Sequence, residues 1–162
     1  MKIDATYEIK APRERVYAAL IDPDVLRLVI PGCESLEKVD ENHYNATMKA
    51  GVGPIKGTFK GEVRLEAMRP PEHYRIVVQG TGGAGFAKGS ADFDLEDKDG
   101  GTLIRYSGEM QIGGTIAGVG QRMIQGAAKM MASQFFAKLE AEVKNRSSSP
   151  PVPQAIPLNQ ED

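Results

Sequence analysis

The chain has 162 residues, with 20 Lys and Arg against 22 Asp and Glu, and so has room for one domain with its own core at a formal net charge of -2. Both signs are mixed along the sequence, which excludes the one-sided basic field that nucleic acid requires, and no apolar run is long enough to span a bilayer. The one cysteine, Cys33, excludes an internal disulfide and any cysteine-built metal centre.

The opening, MKIDATYEIK, alternates at once and contains no signal-peptide apolar run, so the cytoplasm is the expected compartment. Met1 to Ile9 reads as a strand with Ile3, Ala5, Tyr7 and Ile9 on one face. Pro12 stands where a helix can begin, and Val16, Ala19 and Leu20 supply a short apolar stripe. Asp22-Pro23 has the form of an N-cap and first helical residue. A second short helix with Val25, Leu26, Leu28 and Val29 follows, ended by Pro31-Gly32. Six further strands are predicted, over 34–40, 43–52, 54–68, 73–82, 85–97 and 102–113. Turn residues separate them, among them Asp40-Glu41-Asn42, Gly53-Pro54 and Lys98-Asp99-Gly100-Gly101. The spacing then predicts one long helix over 115–144. Its stripe is Ile116, Val119, Met123, Ala127, Met130, Met131, Phe135, Leu139 and Val143. Residues 145–162, NRSSSPPVPQAIPLNQED, are rich in proline, serine and polar residues and read as a disordered tail.

An antiparallel sheet has to bury its apolar face, and the long helix is its one large partner. The expected class is therefore α+β. A curved seven-stranded antiparallel sheet wraps around a long C-terminal helix, with two short helices after the first strand, all within 1–144.

One stretch demands a separate test. In QGTGGAGFAKG, residues 79–89, Gly80, Gly82 and Gly85 satisfy the dinucleotide fingerprint G-x-G-x-x-G. That motif needs a helix opening at the glycines. Phe86 to Glu96 instead alternates, with Ala87, Gly89, Ala91, Phe93 and Leu95 on one face and Lys88, Ser90, Asp92, Asp94 and Glu96 on the other. The glycines therefore turn one strand onto the next, and no helix N-terminus is available for a pyrophosphate.

Because a one-residue slip would turn the apolar face outward, the hairpins can be registered. Leu95 faces Ile104, Phe93 faces Tyr106, Leu65 faces Ile76 and Val63 faces Val78 in this reading. One inner row becomes Gly61, Gly80, Ala87 and Ile112, and the next Val63, Val78, Gly89 and Met110. A third holds Leu65, Ile76, Ala91 and Gly108. Glycine and alanine thus gather in mid-sheet, where a packed core wants large side chains. Either the glycines permit tight bending of the strands, or the missing side chains leave a cavity under the helix. The candidate ligand-binding residues are these small inner positions with Phe59 and Tyr106, faced by Met123, Ala127, Met130 and Met131 from the helix. The glycine turn and residues 24–31 are the candidates for its mouth.

The search for chemistry returns little. His43 and His73 read as exposed loop residues. Asp92, Asp94 and Glu96 form a solvated face, with Arg105 opposite Asp94. Cys33 has no neighbouring histidine and reads as a buried structural thiol. Tyr74 and Tyr106 place hydroxyls on the inner face, suited to fixing a ligand. No catalytic residue, cofactor or metal site is assigned. Apolar binding alone suffices for affinity, since ten buried methylenes contribute about 8 kcal/mol gross, of which association entropy removes a large share.

Four ordered segments resemble a known family. They are DPDVLRLVIPGCESLEKV at 22–39, GVGPIKGTFKGEVRL at 51–65, GTGGAGFAKGSADFDL at 80–95 and GGTIAGVGQRMIQGAAKMMASQFF at 113–136. Together they are similar to the carbon monoxide dehydrogenase G-subunit family, within the START-type helix-grip superfamily of lipid-transfer proteins and polyketide cyclases. The resemblance implies a helix-grip fold and an accessory role to a molybdenum-containing carbon monoxide dehydrogenase or related hydroxylase. It also implies a setting at the membrane, where a quinone or other isoprenoid lipid would suit an apolar cavity. Members that anchor to membranes use an extended apolar C-terminal segment, whereas Val152, Ala155, Ile156 and Leu158 are too few to hold a bilayer, leaving at most a transient contact.

The expected function is non-enzymatic carriage of a lipophilic molecule. The alternative is a cyclase or dehydratase acting on an aromatic polyketide-like substrate, which would need a polar dyad in the cavity. A purely structural adaptor is the third reading, and it would tolerate Gly89→Leu.

Overall fold

The computed structural model describes residues 1–148. Strand β1 (Lys2–Ile9) leads into helices α1 (Arg13–Leu20) and α2 (Pro23–Val29). Six strands follow: β2 (Cys33–Asp40), β3 (His43–Val52), β4 (Ile55–Arg69), β5 (His73–Gly82), β6 (Gly85–Lys98) and β7 (Gly101–Gly113). A short 3-10 helix, Thr115–Val119, then precedes α3 (Gln121–Ser148). The strands form one sheet in the order β1-β7-β6-β5-β4-β3-β2, with every neighbouring pair antiparallel. The α+β helix-grip architecture read from the sequence is the one found.

Local chemistry explains the elements. Asp22 caps α2, its Oδ1 accepting from the Asp24 backbone N–H at 2.9 Å, with Pro23 in the first turn, where no N–H is needed. The glycine stretch is a tight hairpin, with Gly82 paired to Gly85 across Gly83 and Ala84. The expected registers hold, including Leu95–Ile104, Phe93–Tyr106, Leu65–Ile76 and Gly61–Gly80. Period-two burial admits one register only.

Three expectations need correction. The predicted 115–144 helix is interrupted, because Gly120 has φ +99° and restarts the helix after the 3-10 segment. At the other end α3 continues to Ser148, so residues 145–148 are helical rather than tail, and residues 149–162 lie outside the described residues. Both histidines begin strands rather than sitting in loops, and each pairs with a carboxylate on the neighbouring strand, His43 with Glu62 and His73 with Asp94.

The apolar residues form two clusters. The main core joins Val16, Leu20, Val25 and Val29 of α1 and α2 to Leu65, Leu95 and Ile104 of the sheet and to Phe136, Leu139 and Val143 of α3. A smaller cluster of Val52, Ile116 and Ile124 sits at the far end of the sheet, against Ile55, Phe59 and Ala84 near the hairpin tips. A tightly packed domain would merge the two. The gap between them contains the candidate site.

Candidate functional site

A cavity lies between the concave face of the sheet and α3. It has two lobes, of about 290 Å³ and 260 Å³. Ile3, Ile30, Ile76, Val78, Met110, Ala128 and Met131 border both, so the lobes are contiguous. The first lies toward the hairpin tips and is bounded by Val52, Phe59, Ile112, Ile116 and Ile124. The second lies deeper in the sheet, against Tyr74, Phe93, Tyr106, Phe135 and Phe136.

The sheet positions singled out in the sequence come together here. Phe59, Gly61, Val63, Val78, Gly80, Ala87 and Ile112 border the tip lobe. Gly89, Ala91, Tyr106 and Gly108 border the deeper lobe, and Met110 borders both. From α3, Ala127 and Met131 line the cavity. Met123 and Met130 do not. They are 46% and 61% exposed on the flank of the helix, and Met123 lies over Gly53 in the β3–β4 turn. The sequence reading missed the inner face of β3, where Ala46, Met48 and Ala50 alternate into the lining. The same period-two signal would have found them. It also missed Ile124 and Phe136, whose helical phase depends on where α3 begins. Of the expected mouth segments, Ile30, Pro31 and Phe86 border the cavity.

The glycines differ in kind. A Cβ on Gly61 would strike the Gln79 carbonyl, and one on Gly89 the Glu109 carbonyl. One on Gly108 would lie 2.6 Å from the Ser90 carbonyl oxygen. These three are required by the close approach of neighbouring strands in a strongly curved sheet. Gly80 is different, since its Cβ would find nothing nearer than 3.7 Å. Bending and cavity are both present, at different residues.

The lining offers hardly any ionisable chemistry. Burial raises the Tyr106 hydroxyl above its ordinary value. Tyr74 is raised much further, first by complete burial and then by the neighbouring Tyr17. The Tyr74 hydroxyl has no hydrogen-bond partner among the described residues, whereas Tyr17 donates to the His73 carbonyl at 2.9 Å. The remaining candidates lie elsewhere. His43 meets Glu62 at 2.6 Å, a hydrogen bond that holds the Glu62 carboxyl below its ordinary range. His73 meets Asp94 at 2.9 Å. Arg105 is registered opposite Asp94 but pairs diagonally with Glu96 at 2.8 Å, because His73 takes Asp94. Cys33 is half-buried rather than buried, and desolvation raises its thiol against the opposing effect of Arg27. Among the described residues, no group of three or more His, Cys, Asp or Glu is placed to hold a metal.

Comparison with solved structures gives the fold its relatives. A conserved protein from Geobacillus kaustophilus shares 34% identity at a TM-score of 0.86, over 90% of this chain and 96% of its own. A protein from Chromobacterium violaceum superposes at a TM-score of 0.68 with 20% identity, over 88% of this chain and 96% of its own. The Zhui aromatase/cyclase from a Streptomyces species superposes at 0.65 with 14% identity, over 92% of this chain and 96% of its own. The last two show the fold alone. Among curated proteins none matches the sequence. The family of carbon monoxide dehydrogenase G subunits (CoxG) matches residues 6–144, almost the whole of the described chain, and the chain belongs to that family.

Proposed function

We propose that the protein binds and carries an uncharged lipophilic molecule between the sheet and α3, without transforming it. The observation that carries this reading is the pair of contiguous lobes, whose inward side chains are aliphatic or aromatic and carry no charge. Glu62 and Glu109 border the lobes but belong to the outward-facing set of their strands. Such a lining stabilises hydrocarbon by roughly 0.8 kcal/mol per buried methylene. Family membership supports the finer reading: a quinone or other isoprenoid lipid, carried in the service of a molybdenum-containing carbon monoxide dehydrogenase-type hydroxylase. Turnover of an aromatic polyketide-like substrate would need two cooperating polar groups in the cavity, and among the described residues Tyr74 and Tyr106 are the inward candidates. Mass spectrometry of an organic extract of the freshly purified, denatured protein tests the proposal. A near-stoichiometric quinone or other neutral lipid is expected. A clean extract from a protein that also fails to take up the neutral dye Nile red would sink it.

The proposal includes a transient membrane contact at the hairpin-tip end. No helix among the described residues is long and apolar enough to cross a membrane. The tip segments 50–55, 80–87 and 112–121 contain no charged residue, and Phe86 and Met123 are 40% and 46% exposed there. Lys56, Lys60, Lys88 and Arg122 stand exposed just behind them. Flotation with phosphatidylglycerol-containing vesicles should recover the protein, and Lys56→Glu and Lys88→Glu should each weaken recovery about fivefold or more. Failure to float with either phosphatidylglycerol-containing or pure phosphatidylcholine vesicles would remove this part of the proposal.

A further inference from the structure

The sheet ends in two edge strands, and they are finished differently. Strand β2 is broken by register shifts between Cys33 and Ser35 and between Lys38 and Asp40, and α2 packs against it. Such irregularities blunt an edge against further pairing. Strand β1 pairs with β7 without a break from Lys2 to Ile9 and contains no proline. Lys2, Asp4, Ala5, Thr6 and Glu8 are exposed along it.

Antiparallel geometry decides which backbone groups this edge presents. The Met1 amino group donates to the Met110 carbonyl at 3.1 Å, and the Met110 N–H to the Met1 carbonyl at 2.9 Å. Alternation then turns the backbone groups of Ile3, Ala5, Tyr7 and Ile9 toward β7, and those of Lys2, Asp4, Thr6 and Glu8 away from it. The next outward group, the Lys10 N–H, donates to the Glu140 carboxylate at 3.2 Å. The N–H groups of Lys2, Asp4, Thr6 and Glu8 have no such acceptor among the described residues.

One occupant satisfies both the backbone and the side chains. A second copy of β1, laid antiparallel about Ala5, sets Lys2 opposite Glu8, Asp4 opposite Thr6, Ile3 opposite Tyr7 and Ala5 opposite itself. Every outward N–H and C=O from Lys2 to Glu8 then meets a partner, and opposite charges meet at both ends. Slipping by two residues sets Asp4 against Asp4 in one direction, and Asp4 against Glu8 in the other, which like-charge repulsion disfavours. Slipping by one sets outward groups opposite inward ones. The charges are available for this contact. Lys2 makes no ion pair among the described residues, and Glu8 holds Lys98 through Oε2 alone, at 3.0 Å.

We propose that β1 is a self-recognition edge, through which two copies of the chain join antiparallel into one continuous sheet. Met1 borders the tip lobe, whereas Ile9 lies in the main core, so the two hairpin-tip ends of the pair point in opposite directions. An edge of eight residues is smaller than a standard interface, so the pair forms and separates with concentration. This proposal stands independently of the carrier reading.

Sedimentation velocity of the full chain tests it. Between about 5 and 500 µM the weight-average mass is expected to rise toward twice that of the monomer, as for a weak interface. Lys2→Glu and Glu8→Lys should each weaken self-association about tenfold or more, because like charges then meet at both ends. An equimolar mixture of these two variants should associate again, to within about threefold of the parent, since every Glu of one then faces a Lys of the other. Thr6→Pro removes an outward N–H and no bond to β7, so it should abolish the pair with an unchanged far-ultraviolet spectrum. A mass that does not rise, or a rise that neither charge variant lowers, overturns the proposal. So does a mixture that fails to recover. Should Thr6→Pro unfold, the two charge variants decide, since both alter exposed side chains.

Discussion

Gly80→Leu is expected to abolish uptake of apolar ligands while the protein stays folded. Gly80 lines the tip lobe in the row Ala46, Gly61, Gly80, Ala87 and Ile112, facing α3. Its added Cβ would meet the Lys60 carbonyl oxygen and the Phe59 Cβ at 3.7 Å, an ordinary contact, and its φ needs no glycine. The rest of the leucine side chain projects into empty space. It therefore displaces ligand without displacing backbone, and ligand that still enters meets overpacking worth about 1–3 kcal/mol. Binding of Nile red should fall at least about tenfold, equivalent to 1.4 kcal/mol, with an unchanged far-ultraviolet spectrum and an equal or higher melting temperature. Undiminished binding by the folded variant would show that ligand lies elsewhere. Gly89→Leu, which sequence reasoning would choose for the same purpose, is the wrong variant. Its Cβ would strike the Glu109 carbonyl, so loss of function there would report a broken strand rather than a filled cavity.

Leu139→Ala should remove about 2–5 kcal/mol of folding stability, the range for a large aliphatic truncated in a core that cannot collapse around the gap. Leu139 is fully buried in the half of α3 that joins the sheet to α1 and α2, beside Phe136 and Val143. Urea unfolding measures it. A loss below about 1 kcal/mol would mean that this half of the helix is not the keystone of the main core. Met130→Ala is the internal contrast. Its side chain is 61% exposed, so the change should stay within about 0.5 kcal/mol. The gradient between the two follows from the fold: the C-terminal half of α3 is gripped by side chains, whereas its N-terminal half spans a cavity.

Sequence patterning by itself determined the strands, the hairpin registers and the rejection of a nucleotide loop at Gly80, Gly82 and Gly85. Those are local matters. Alternation over Phe86–Glu96 has period two or it does not, and one buried face permits a single register. The same logic placed most of the cavity-facing residues of the sheet, because a strand's inner face is known once its parity is known. The helix was harder. Extending one apolar stripe from Ile116 through Met123 and Met130 assumes an unbroken helix, and Gly120 resets the phase. The lining of α3 begins instead at Ile124 and continues through Ala127, Ala128 and Met131. Carboxylate partners were equally out of reach, since whether Asp94 turns to Arg105 or to His73 depends on which neighbour comes nearer in three dimensions.

The role of each glycine was decided by the tertiary structure alone. Gly61, Gly80, Gly89 and Gly108 are indistinguishable in a pattern of small residues. They separate only when the neighbouring carbonyls are in place, which crowd three of them and leave the fourth with room for a Cβ at ordinary contact distance. A cavity is the volume left between surfaces contributed by residues far apart in the chain. Periodicity states which way a residue faces, but not how far away the opposite wall stands.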